Sequence, residues 1–338
     1  MSDQFSQVLA DTGGCHSFTH QYDYDSVCRA CDSMLAQTSS IRSPVASTRC
    51  SRSASQSPGG PLIYLLPAVG TGEYDGPRAG GQLLQLRDES VTVCTLTLAW
   101  QVFEDAPVVV AANRDELFDR PSESPSARDW EAAVVAPMDQ DAGGTWLGYN
   151  EHGLLIGITN RWTDGPVDAD RSRGLLVRDA LGYETATDAC RFVERELDAR
   201  TYDGFNLVMA DEAAAILVEH DGARVVRNLQ PGVHVVVNVG ADGTYDVPEA
   251  RSEAGQAQAN NADAVRTALQ PEPGETSSEW LDRAAGVLGN HEYGVCIHRD
   301  GFGTRSSSLV RLGTSAVEYR YADGPPCETE FEQVTDRV

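Results

Sequence analysis

Lysine is absent from all 338 residues: each of the 26 basic side chains is arginine, set against 51 acidic ones, for a formal net charge of -25. So little positive charge excludes a phosphate-tracking, nucleic-acid-binding surface and argues equally against an anionic membrane as partner. It suits a protein that stays soluble in concentrated salt, where screening removes most of the self-repulsion, and a halophilic, cytoplasmic setting is expected. No apolar run approaches the ~18–20 residues that span a bilayer, and the first residues lack the basic-then-apolar layout of a signal peptide. The seven histidines show no H-E-x-x-H pattern. Cys94, Cys190, Cys296 and Cys327 are far apart without metal-ligand spacing, so they read as free thiols and no metal is expected in this part of the chain.

The charge is unevenly placed. Residues 1–92 hold 9 acidic and 6 basic side chains, whereas 93–338 hold 42 and 20. The stretch 38–60 is dominated by Ser, Arg and Pro, and 70–81 is rich in Gly, which reads as linker or disorder. The chain therefore divides into an extension, 1–92, and a folded domain, 93–338. Within the extension, Cys15, Cys28-Arg29-Ala30-Cys31 and His16 or His20 would suit a small zinc site. The competing reading is a disordered tail or an over-extended gene start, with Val93 as the true initiator position.

From Cys94 onward the pattern becomes regular. Residues 94–100 and 108–112 read as paired strands, the second ending in Asn113-Arg114-Asp115-Glu116. Arg120-Pro121 ends regular structure. Gly143-Gly144-Thr145-Trp146-Leu147-Gly148 reads as a structural turn into a strand, and a further strand, 154–159, ends at Asn160-Arg161. Helices are expected over 173–181 and 187–197, strands over 205–210, 215–220, 224–228 and 233–239, helices over 248–269 and 277–288, and closing strands over 293–298, 307–312 and 317–321. Helices that come in pairs rather than one per strand favour antiparallel sheets covered by helices, an α+β layered domain.

A cysteine heading one strand and a charged cluster ending its hairpin partner can meet in space. Were Cys94 the first residue, its α-amine, with a pKa near ~7.7–8.0, could take the thiol proton and later protonate a leaving amine. Asp115 could then hold the ammonium and Arg114 could tune the thiolate or grip a substrate carboxylate. The plain alternatives are a buried thiol and a solvated turn with a local salt bridge. Asn160 could donate to an oxyanion, Asn238 could do so or align the amine, and Arg305 sits among glycines that leave room for a ligand. Each is also an ordinary turn or loop residue.

Val93-Cys94-Thr95, Asn113-Arg114-Asp115-Glu116 with Arg120-Pro121, Gly143 to Gly148, Thr159-Asn160, Gly204-Phe205-Asn206-Leu207 and Gly301-Phe302-Gly303-Thr304-Arg305-Ser306 occur in one order over some 230 residues. On these motifs the domain resembles the NRDE, or transport and Golgi organisation 2, family, which in turn is similar to the N-terminal-nucleophile hydrolases. The resemblance implies a four-layer αββα sandwich of two antiparallel sheets. It implies Cys94 as nucleophile, Arg114 and Asp115 supporting it, Asn160 and Asn238 serving oxyanion and amine, and Arg305 as a second site arginine. The implied activity is hydrolysis of a small-molecule, non-peptide amide without a required cofactor; the family's links to haem and lipid metabolism imply, alternatively, a carrier of haem or an acyl lipid in the same pocket.

Overall fold

The computed structural model describes residues 94–338, apart from Pro166 and Ser315; the extension 1–92, its zinc-site reading and position 93 lie outside the described residues. The chain runs through β1 (Thr95–Phe103), β2 (Ala106–Leu117), β3 (Ser122–Asp129), β4 (Ala133–Asp139), β5 (Leu147–Asn150) and β6 (Leu155–Asn160) into helices α1 (Arg173–Ala180) and α2 (Ala186–Ala199). Then come β7 (Phe205–Ala210), β8 (Ala215–His220), β9 (Arg224–Asn228), β10 (Gly232–Val237), β11 (Gly240–Ala241) and β12 (Thr244–Tyr245), followed by α3 (Ser252–Ala268) and α4 (Ser277–Gly289). β13 (His298–Arg299), β14 (Phe302–Leu312), β15 (Val317–Ala322) and β16 (Glu332–Gln333) close the chain.

The strands form two antiparallel sheets. One is ordered β12-β11-β10-β1-β2-β14-β15-β16, with β13 beside β14, and the other runs in sequence from β3 to β9. Side chains alternate across a strand, so Leu96, Leu98 and Trp100 of β1 enter the core between the sheets with Val135, Leu155 and Val208. Ala99 of β1 faces the other way, into a core with α3 and α4 that holds Ala262, Val265, Trp280 and Leu281. A third core lies between the second sheet and α1 and α2, around Leu176, Val177 and Val193. Three cores separate four layers, the αββα sandwich that the resemblance implied.

The helices begin where the local chemistry directs. Thr185 caps α2 by accepting from Asp188 N, and Thr276 with Glu279 forms a capping box on α4, satisfying donors a helix start leaves free. Among the described residues no helix is long and apolar enough to cross a membrane.

Four local expectations need correction. Residues 113–116 are not a turn: β2 continues through them because β14 pairs along it as far as Phe302↔Leu117. For the same reason Arg305 lies in a strand rather than a hairpin loop. Strands β3 and β4 occupy a stretch where regular structure was expected to stop; β3 is an edge strand with only Pro125 fully buried, and its polarity hides it. Residues 293–298 are not a strand, since a 3-10 turn, His291–Tyr293, ends in Gly294 with a left-handed φ of 62°, and only β13 pairs.

Candidate active site

Cys94 sits one residue before β1, between β10 and β2, with Thr95 opposite both Val237 and Asn113. The Cys94 backbone nitrogen donates to Asn238 Oδ1 at 2.9 Å, and Gln258 Nε2 of α3 donates to the same oxygen at 2.9 Å. Gln258 is itself fixed, accepting from Val239 N. Asn238 is fully buried, and its Nδ2 has no hydrogen-bond partner.

Strand alternation sorts the charged cluster. Asn113, 2% exposed, points to the helix layer and donates to the carbonyls of Leu288 and Val295, tying β2 to the end of α4. Asp115, 1% exposed, accepts at Oδ1 from Thr304 Oγ1 at 2.6 Å, while its Oδ2 lacks a partner. Burial holds the Asp115 carboxyl well above the usual carboxylate range, partly offset by the Thr304 hydroxyl. Arg114 faces the other sheet. Its guanidinium lies 4.1 Å from the Trp146 ring centre and pairs with Glu116 at 3.4 Å; desolvation lowers its pKa, and Nη1 has no partner.

The Cys94 sulfur is partly buried and lies 3.8 Å from the Asp115 carbonyl oxygen. Desolvation, with a smaller contribution from the Asp115 charge, pushes the thiol up to about 12. A thiol held this high is a poor nucleophile by itself and requires a base at hand.

A cavity of about 100 Å³ opens on this sulfur, lined by Cys94, Arg114, Asp115, Trp146 and Asn160 on one side and by Ser172, Arg173 and Gly174 on the other. The wall across from Cys94 is the start of α1, where Ser172 caps the helix and Gly174 O accepts from Thr145 N. The approach requires Gly144, since a Cβ there would meet Gly174 C at 2.2 Å.

Of the residues singled out from the sequence, Cys94, Arg114, Asp115 and Asn160 line one cavity and Asn238 stands behind the Cys94 nitrogen. Arg305 does not join them. β14 bulges opposite β2 between Thr304 and Ser306, Arg305 is the extra residue, and its guanidinium pairs with Asp323 at 2.8 Å, where both side chains reach solvent. A bulge re-aims the side chain it carries.

The fold adds residues that sequence reasoning passed over. Trp146, part of the stretch read as a structural turn, forms the aromatic face under Arg114. Arg173 presents a second guanidinium, donating to Gly204 O at 2.8 Å; its pKa is lowered by desolvation. Glu116, Arg120 and Asp139 complete the rim, Arg120 and Asp139 pairing at 2.6 Å. The motif carrying Trp146 was visible, but no linear signal marks Arg173 or Gln258. The four cysteines from Cys94 onward are free thiols, as expected; His291, Cys296, His298 and Cys327 converge outside the cavity, their ligand atoms all within 4.8 Å of one another.

The family model described as Transport and Golgi organisation 2 matches residues 93–315. The human and mouse Transport and Golgi organization 2 homologs are 32% identical over 112 and 108 residues, covering 32% and 31% of this chain and 40% and 38% of the relatives. The chain thus matches about two fifths of the length of these curated relatives. Among solved structures, the penicillin V acylase from Agrobacterium tumefaciens is similar at 15% identity and a TM-score of 0.46, covering 72% of this chain and 86% of that one. A Caenorhabditis elegans ortholog of N-acylethanolamine-hydrolyzing acid amidase gives 12% and 0.42, covering 64% and 92%.

Proposed function

The chain belongs to the Transport and Golgi organisation 2 family, and we propose that it is an amide hydrolase whose nucleophile is Cys94, acting as the first residue of the mature domain. The observation that carries this reading is the Asn238 oxygen, held by Gln258 and placed 2.9 Å from the Cys94 nitrogen. A fixed acceptor at that nitrogen would orient a free α-amine beside its own thiol, supplying the base that a thiol raised to about 12 requires.

In the reaction, the Cys94 sulfur bonds to the amide carbonyl carbon while its proton passes to the α-amine. The carbonyl oxygen gains the negative charge, and we assign Asn160, which lines the cavity, and the unpartnered Asn238 Nδ2 as its donors. The oxyanion then collapses, the C–N bond breaks, and the leaving nitrogen takes the proton from the α-ammonium. Water, deprotonated by the same amine, attacks the thioester carbon; the C–S bond breaks to release the acid, and the Cys94 sulfur recovers the proton from the α-ammonium. Asp115, tied to β14 through Thr304, fixes the backbone carbonyl beside the sulfur. Arg173, with the start of α1, gives the far wall positive character, which favours a small amide carrying an anionic group.

The test is amine release from a panel of N-acyl compounds with and without a carboxylate, by protein whose N-terminus has been fixed by intact mass and fragmentation. Hydrolysis by a chain starting at Cys94, a trapped acyl adduct on that residue and loss of both in Cys94→Ala are expected. Undiminished turnover in Cys94→Ala, or in a chain that retains residues before Cys94, would refute the mechanism.

A further inference from the structure

We propose that His291, Cys296, His298 and Cys327 form a structural zinc site, a feature independent of the role of Cys94. The ligand atoms lie within 4.8 Å of one another. Cys296 Sγ is 3.5 Å from Cys327 Sγ, His298 Nε2 is 3.1 Å from Cys327 Sγ, and Cys296 Sγ is 3.6 Å from His298 Nε2. Zinc bonds of about 2.3 Å to sulfur and 2.0–2.1 Å to nitrogen, spread tetrahedrally, put sulfurs about 3.8 Å apart and sulfur about 3.6 Å from nitrogen. The side chains are therefore already close to the spacing that a tetrahedral ion would impose. The fourth ligand, His291, packs edge-on to His298 with ring centres 5.1 Å apart.

The ligands arrive from separate pieces of chain, which is how a structural ion gains its effect. His291 lies in the 3-10 turn after α4, Cys296 and His298 flank Ile297 at the entry to β13, and Cys327 follows β15. Gly289 makes room for the last segment, since a Cβ there would sit 3.2 Å from the Pro326 oxygen. On binding, Zn²⁺ displaces one proton from each thiol, so that two thiolates, two neutral imidazoles and the ion make a neutral unit. Four protein ligands leave no open position, which marks a structural rather than a catalytic ion.

The site has a mechanical connection to the cavity. Val295 O accepts from Asn113, Ile297 N donates to Thr304 Oγ1, and Thr304 holds Asp115. A metal clip on 291–298 would fix the segment against which β2 sets Asp115.

The test uses the full chain, reduced, stripped with a chelator and titrated with Co²⁺. One equivalent should give the visible bands of tetrahedral cobalt with thiolate-to-cobalt charge transfer, and Zn²⁺ should displace it. Cys327→Ser and His298→Ala, checked for folding by circular dichroism, should weaken binding by more than the roughly 10–100-fold typical of losing an outer-shell partner; Cys190→Ser should bind as the parent does. X-ray absorption at the zinc edge of the unmutated protein should count two sulfur and two nitrogen neighbours, a readout that survives misfolding of any variant. Undiminished binding in Cys327→Ser, a zinc edge without sulfur, or no binding with both thiols demonstrably reduced would each overturn the proposal.

Discussion

Replacing Asn238 with leucine asks how firmly the Cys94 nitrogen is held. Leucine is close in volume, so the change removes an acceptor rather than opening a cavity. Two donors converge on that acceptor, Cys94 N and Gln258 Nε2, each at 2.9 Å, whereas Asn238 Nδ2 makes no bond to lose. A buried donor stripped of its partner costs about 1–3 kcal/mol. Gln258 is 5% exposed and should bear a full cost of that size, while Cys94 is only partly buried and falls at the low end. The expected loss is about 2–4 kcal/mol, a large share of the roughly 5–15 kcal/mol of a typical domain. Urea unfolding followed by tryptophan fluorescence reads it as a fall in midpoint at constant slope. Pairing the change with Gln258→Leu removes both partners of one bond, so the double variant should lose less than the sum of the two single losses. A loss below about 0.5 kcal/mol, the range of ordinary surface substitutions, or simple additivity, would show that the bridge from α3 through Asn238 to Cys94 does not hold.

Two other perturbations probe the same region. Burial raises the Asp115 carboxyl above its unfolded value, near 3.9, so the folded state binds that proton more tightly and the associated stability is full below that pH and lost as pH rises through the folded value. Asp115→Asn keeps an acceptor for Thr304 and removes the titration. The parent should therefore lose stability relative to the variant as pH rises above about 4 in parallel urea titrations, and a pH-independent difference would refute the assignment. Gly144→Ala would drive a methyl into the backbone of Gly174, 2.2 Å away; we expect at least the about 1–3 kcal/mol of an overpacked site, read by thermal unfolding, together with loss of hydrolysis because α1 no longer closes the cavity.

The layered α+β architecture was legible because the paired helices and the alternating apolar runs are local signals. The strands over 205–210 and 215–220 coincide with β7 and β8. The cluster 113–116 was recognised for its chemistry but a solvated turn stayed open as its alternative, because its burial comes from β14, about 190 residues away in sequence, and four consecutive polar residues resemble solvated chain until a partner strand is known. Polar β3 was missed for a related reason: an edge strand half in solvent carries no apolar alternation.

By itself the sequence determined the charge balance, the period of each element and the candidate chemistry of Cys94, Arg114, Asp115, Asn160 and Asn238, since these follow from residue type and near neighbours. Only the tertiary structure decided which candidates meet. A one-residue bulge turned Arg305 to Asp323, the contact of Gly144 with Gly174 brought Arg173 to the cavity, and the approach of the chain after β15 to the end of α4 added Cys327 to His291, Cys296 and His298. The physical reason is common to all three: each depends on a close contact between segments remote in sequence, and such contacts are fixed by packing rather than by local propensity.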